Sequence, residues 1–262
     1  MNQHKRVALI SGAGRGIGAA TAREFGRRGY HVIVNYRSNI DAARDVVAAI
    51  EEDGGSAQAV QADVCDGEQV AALVEGVREE HGHIDVLVCN ANTVGPSFQP
   101  LAELSWASFA EKVNGELSGV FFLSQRILAV MREQRAGRII FISSTAADFI
   151  GMAVAHSTAK AALNTFSRHV AGIGAQYGVT VNTLAFGAVR TESSGQGFSE
   201  GLQGHLTDRS VLNRLVEPED AARAVATLAG EDFGAVTGQL IRLDGGYDIL
   251  DQQFHPLTSH FD

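Results

Sequence analysis

The chain of 262 residues is sparing in several residue types, and each scarcity removes a class of protein. It holds two cysteines, Cys65 and Cys89, with no CxxC spacing. That excludes a disulfide scaffold and supplies no metal-ligand set, so both thiols are expected to be reduced and mostly buried. Charged residues make up only 19% against 45% apolar, which excludes a disordered chain. The 29 glycines follow no triplet period, which excludes a collagen-like one. Basic residues are outnumbered, 21 to 30, for a formal charge of −9. A nucleic-acid partner is therefore not expected. No apolar run approaches the ~20 residues needed to span a bilayer, so no membrane partner is expected either. The opening MNQHKRVALISGAG is too short in apolar residues for a signal-peptide core, and a cytoplasmic location is the expectation.

What is present is alternation. Short β-branched runs (Val7–Ser11, His31–Asn35, Ala57–Ala62, Ile84–Cys89, Arg138–Ser143, Thr180–Leu184 and Gln239–Leu243) are separated by amphipathic stretches. The stretches lie near 16–28, 40–53, 67–81, 102–134, 155–177 and 217–230. This pattern predicts an α/β protein: a doubly wound parallel sheet with helices on both faces. The runs are nearly continuous in apolar residues, as strands covered on both sides require. No linker or repeat interrupts them, so one domain over residues 1–250 is expected, with a polar tail at 251–262. The Gly- and Ser-rich stretch near 190–213 is the candidate substrate lid.

The first run ends in Ser11-Gly12-Ala13-Gly14-Arg15-Gly16-Ile17-Gly18, and a helix follows. Gly12, Gly16 and Gly18 fit a GxxxGxG spacing. Missing side chains there let the backbone turn tightly and approach a pyrophosphate, which the unpaired N–H groups of the helix start would receive. The alternative is a tight turn with no ligand; its place after the first strand of a long αβ series favours a dinucleotide. The second run ends in Asn35-Tyr36-Arg37-Ser38, with no acid to hold a ribose 2′-hydroxyl. Arg15 and Arg37 would instead suit a 2′-phosphate, unless both are merely solvated. NADP(H) is the expected cofactor, ahead of NAD(H).

These motifs together resemble the short-chain dehydrogenase/reductase family over about Arg6 to Tyr247. The glycine turn through Gly18, including Ile17, looks like its coenzyme loop. Asp63-Val64 looks like its adenine contact, and Asn90-Ala91 like the centre of its Asn-Asn-Ala-Gly motif. Asn114 is similar to the family's active-site asparagine, Ser144 to its serine, and Lys160, followed by Ala-Ala-Leu, to its lysine. Val189 and Thr191 are similar to the residues that hold the nicotinamide carboxamide. The resemblance implies a seven-stranded parallel Rossmann-type sheet, a small-molecule substrate and a homotetramer or homodimer. In it Lys160 binds the nicotinamide ribose, Asn114 serves a proton relay and Ser144 meets the substrate oxygen.

The departures cluster in one pocket. The family's proton-donating tyrosine lies four residues before the lysine, where this chain has His156. The loop before it is about one residue short, so motif order points to Ser144 and spacing to Ser143. Cys89, Asn92 and Phe186 replace residues usual in the family. A neighbouring lysine charge should lower the imidazole pKa from ~6.5 and leave His156 mostly neutral at pH 7. A neutral imidazole still has an N–H with which to polarise a carbonyl. His156 is either that group or a passive filler of the tyrosine's space, and Asp148 either orients it or is an exposed loop acid. Phe149, Phe186 and Asn92 are candidate substrate contacts.

Three functions follow. One is NADP(H)-dependent hydride transfer on a carbonyl/alcohol pair, with a mid- to low-pH optimum if imidazolium is the donor. Another is reduction of a conjugated C=C bond in an enoyl thioester. The third is a cofactor-binding subunit with little catalysis of its own.

Overall fold

A computed structural model describes residues 5–151, 153–192, 200–247 and 249. Seven strands form one sheet: β1 (Val7–Ile10), β2 (His31–Tyr36), β3 (Ser56–Gln61), β4 (Val86–Cys89), β5 (Gly137–Ser144), β6 (Val179–Phe186) and β7 (Leu240–Leu243). Their order is β3-β2-β1-β4-β5-β6-β7, and every pairing is parallel. The helices between them are α1 (Gly16–Arg27), α2 (Ile40–Glu52), α3 (Gly67–His81), α4 (Trp106–Gln134), α5 (Val154–Ala175), α6 (Glu200–Asp208) and α7 (Pro218–Leu228). The fold is thus the doubly wound Rossmann-type sheet that the alternation predicts.

Each face of the sheet carries its own core. On one, Ala8, Ile10, Val32 and Val34 meet Ala22 and Phe25 of α1, Val46 and Ile50 of α2 and Val225 of α7. On the other, Val7, Leu9, Leu87, Ile139 and Phe141 meet Leu73 and Val77 of α3, Leu123, Ile127 and Met131 of α4 and Leu163 of α5. Successive strand residues alternate between the two clusters, the period-2 geometry of a strand buried on both faces. Burying one such Val, Leu, Ile or Phe side chain stabilises the fold by roughly 1.5–3 kcal/mol.

One boundary differs from expectation. Helix α4 begins at Trp106 rather than near 102, because residues 100–104 turn back on Pro100 and the Ser105 hydroxyl caps the Ser108 amide at 3.1 Å. The expected lid contains the helix α6, with no buried residue, and seven of its residues, 193–199, lie outside the described set. So does the tail at 251–262. Among the described residues no helix is long and apolar enough to cross a membrane.

Chain order runs outward from β1 to β3 on one side and from β4 to β7 on the other. The reversal lies between β1 and β4, and a crevice opens there at the carboxyl ends of the strands, the place where such sheets take ligands.

Candidate active site

The crevice floor is the glycine turn. Gly12 and Gly16 have φ of +62° and +54°, left-handed conformations that glycine adopts without cost. At Gly18 space decides: a Cβ would lie 2.3 Å from the Gly12 carbonyl oxygen and 2.5 Å from Asn90 Nδ2. Asn90 Nδ2 already donates to the carbonyls of Ser11 (2.9 Å) and Gly12 (3.1 Å), so it holds the turn in shape. The Ser11 hydroxyl accepts from the amides of Asn90 and Ala91 at 2.9 and 3.0 Å and donates to Val88 O at 3.3 Å, joining the ends of β1 and β4. Helix α1 starts at Gly16 with no side chain capping its first turn. Its leading N–H groups and positive dipole end therefore face the crevice, as an anion requires.

The other sequence-predicted cofactor residues surround this cradle. Arg15 precedes α1 and Arg37 follows β2; both are exposed, and Arg37 Nη1 donates to Thr93 O at 3.4 Å. The Asp63 carboxylate accepts from the Cys65 amide at 2.9 Å, shaping the turn after β3, and Val64 is buried beside it. Thr191 approaches the α1 start: a Cβ on Gly16 would lie 3.5 Å from its methyl group. Val189 is fixed nearby through a bridge to Val216.

The reactive end lies where α4 and α5 cross the end of β5. Lys160 is buried; its ammonium donates to Ile142 O at 2.9 Å and to Glu116 Oε1. Glu116 Oε2 accepts from Lys112 Nζ at 2.8 Å, and Lys112 Nζ also donates to Asn92 Oδ1 (2.6 Å) and Val94 O (2.7 Å). Burial pushes the Glu116 carboxyl up, but the Lys160 and Lys112 charges and their hydrogen bonds outweigh it and hold the group down at about 2. Burial lowers the Lys112 ammonium, opposed by Glu116.

His156 lies one turn before Lys160 on α5, and i,i+4 spacing puts both on one face. Its Nδ1 is buried and has no hydrogen-bond partner among the described residues. Burial first, then the Lys160 and Lys112 charges, push it down to about 4. Imidazolium is then about one part in a thousand at pH 7. The imidazole is neutral at pH 7 as expected, and of the expected mid- to low-pH optimum only the low end can rest on imidazolium.

The two serines have different partners. Ser143 is buried and donates its hydroxyl to Asn164 Oδ1 at 2.6 Å. Ser144 is half-buried and accepts from the Ala146 amide at 3.1 Å, which leaves its O–H to donate.

The structure does not bring every sequence-predicted residue to this end. Asn114 is exposed on α4 and does not join Lys160. Glu116 does, because positions two apart on a helix face different sides. The signal was available: Glu116 is four residues after Lys112, just before the run Val120-Phe121-Phe122, an ion pair at the edge of an apolar face. Phe186, 2% exposed, belongs to the core and does not line the crevice. Asn92 is tied to Lys112, while Phe149 meets Tyr247 edge-on at 5.5 Å. Asp148 is an exposed loop acid. Cys89 is buried, its thiol pushed up to about 12 by desolvation, and so is unreactive.

The switch-point crevice, the uncapped glycine turn and a buried lysine at its far end define a dinucleotide-binding oxidoreductase site. Comparison with known proteins narrows the class. The family model described as enoyl-(acyl carrier protein) reductase matches residues 12–248. Versicolorin reductase stcU of Emericella nidulans is 35% identical over 254 residues, 92% of this chain and 95% of the relative. Cis-4-hydroxycyclohexanecarboxylate dehydrogenase of Sinomonas cyclohexanicum is 35% identical over 248 residues, 94% and 98% of the two chains. The solved structure of a 7α-hydroxysteroid dehydrogenase complexed with NADH and 7-oxo-glycochenodeoxycholic acid superposes with a TM-score of 0.87 at 30% identity, covering 92% of this chain and 93% of that one. The chain belongs to the short-chain dehydrogenase/reductase family and is an oxidoreductase of that family, whose fold binds a nicotinamide coenzyme.

Proposed function

We propose that this chain is an NADP(H)-dependent oxidoreductase of small cyclic carbonyl/alcohol substrates in which neutral His156 serves the reacting oxygen. The observation that carries the reading is the buried, unpartnered His156 Nδ1, one helical turn from Lys160 at the end of β5. The ring-shaped substrates in the relatives' names, among them the cyclohexane carboxylate and the steroid, support the substrate class.

In this reading the amides opening α1 hold the coenzyme pyrophosphate, and Gly12, Gly16 and Gly18 let it approach. Arg15 and Arg37 take the 2′-phosphate in the absence of an acid at the end of β2. Asp63 and Val64 border the adenine, Asn90 and Ala91 the nearer ribose, and Val189 and Thr191 the carboxamide. Lys160 has spent two of its three donors and gives the remaining one to the nicotinamide ribose. A bound nicotinamide supplies or accepts the hydride. In alcohol oxidation the His156 lone pair takes the hydroxyl proton. In reduction the Ser144 hydroxyl hydrogen-bonds the carbonyl oxygen, and the same His156 nitrogen, which takes up a proton from solvent, returns it to that oxygen as the hydride arrives. The chain works as a cytoplasmic homotetramer or homodimer, and exposed Phe121 of α4 and Ile173 of α5 support an apolar contact there.

Alcohol oxidation with NADP+ tests the role of His156. The rate should be level from about pH 6 to 9, because the imidazole is already neutral there, and His156→Asn should lower kcat about 100-fold or more. A rate that falls steadily as pH rises through this range, or an unaffected variant, overturns the assignment. A second reading, reduction of an enoyl thioester, is favoured by the same neutral imidazole, which can hydrogen-bond an enolate oxygen without surrendering its proton. NADPH consumption with 2-enoyl but not cyclic ketone substrates would select it.

A further inference from the structure

We infer that Glu116 is a positioning residue for Lys160: its carboxylate bridges two buried ammonium groups and, through Lys112, fastens the lysine beneath His156 to the β4–α4 loop at Asn92 and Val94. The inference deepens the coenzyme reading above, and its binding arm rests on that reading.

The arrangement is more than an ion pair within α4. The side chains of Lys112, Glu116 and Lys160 are 2%, 1% and 7% exposed. A single ammonium removed from water so completely needs a counter-charge, and two need one more urgently. Pairing Lys112 with Glu116 would neutralise both and leave Lys160 as a lone buried cation. Instead each Glu116 oxygen takes a different lysine, from α4 and from α5. Lys112 has exhausted its three donors on Asn92, Val94 and Glu116, so it is a fixed tie. Lys160 has spent two, which fixes its Nζ under Ile142 O and leaves one donor to use. The triad carries a net charge of one instead of two. The charges facing His156 are Lys160 on its own helix and Lys112 and Glu116 from α4; Cys89 of β4 faces Lys160 but stays protonated.

The test compares wild type with Lys112→Met, Glu116→Gln and the double variant, whose triads carry formal charges of one, zero, two and one. The first readout is the NMR titration of His156 in coenzyme-free protein, assigned with His156→Asn. Its midpoint should rise by about half a unit or more in Lys112→Met and return toward wild type in the double variant. The second is NADPH affinity by calorimetry at pH 7. Glu116→Gln should bind about tenfold or more weakly, since one neutral amide cannot satisfy two repelling ammoniums. Adding Lys112→Met leaves the oxygen of the introduced amide to Lys160 alone and should bring affinity back to within about threefold of wild type. A merely structural role predicts that the second substitution deepens the loss. The inference is overturned if the double variant binds no better than Glu116→Gln, or if the His156 midpoint does not move in Lys112→Met. Should Glu116→Gln fail to fold, the double variant decides alone: affinity within about threefold of wild type supports the inference, and a loss above about tenfold overturns it. A wild type that does not bind NADPH at all refutes the coenzyme reading, whereas the titration arm still reports on the triad.

Discussion

Replacing His156 by Asn should make the protein less sensitive to acid, although Nδ1 gives up no hydrogen bond to the described residues. The native imidazole is held at about 4, while in the unfolded chain it returns to its ordinary value of 6.5. Between those values the unfolded state binds the additional proton, so stability must fall as pH drops from above 6.5 towards 4. Integrating proton uptake from pH 7 to pH 5 gives a loss of about 2 kcal/mol from this residue alone. His31, also lowered by burial and by His81, acts in the same direction but is unchanged by the substitution and cancels in the comparison. The assay is urea denaturation of coenzyme-free wild type and His156→Asn at both pH values, with the midpoints converted at a common slope. The variant should lose about 2 kcal/mol less than wild type over this interval. Parallel losses would refute the claim that His156 is kept neutral by its surroundings, and with it the neutral-imidazole reading of the site.

Other expectations are more direct. Gly18→Ala forces a Cβ against the Gly12 carbonyl and Asn90, so it should cost about 1–3 kcal/mol of stability and weaken coenzyme binding; calorimetry and melting with no change in either would refute the packing argument. Arg37→Ala should weaken NADPH binding by about tenfold while leaving NADH nearly untouched, and equal losses for both coenzymes would remove the 2′-phosphate assignment. Below pH 4 the depressed Glu116 carboxyl adds a separate loss: its stabilisation is present above the ordinary carboxylate pKa and disappears as pH falls towards about 2. Glu116→Gln should therefore lack that lowest acid limb in a denaturation series.

Much of the fold was legible because its strands are buried on both faces and separated by long amphipathic stretches. Val7–Ile10, His31–Tyr36 and Gly137–Ser144 each fall within a residue or so of the runs that announced them. The glycine turn was legible for a different reason, since left-handed φ and a blocked Cβ position leave few residues a choice. The reactive end was harder. His156 and Lys160 are local in sequence and share a helix face by spacing alone. Glu116 approaches Lys160 only because α4 packs across α5, a tertiary fact that periodicity within either helix does not contain. Asn114 was chosen by motif likeness, and its orientation depended on a helical phase that two residues reverse. Phe186 had the chemistry of a pocket wall, but strand alternation turned it into the core. The hydroxyls of Ser143 and Ser144 became distinguishable once Asn164, a full helix away in sequence, was seen to claim one of them.

The Ser11 hydroxyl spans the gap between the first and fourth strands with three hydrogen bonds. One oxygen atom thus extends the β1–β4 ladder, whose last backbone bond runs from the Ser11 amide to Val88 O at 3.0 Å, into the turn that follows. A substitution at Ser11 that kept the strands paired would be felt first in the turn after the fourth strand, where the amides of Asn90 and Ala91 would lose their shared acceptor.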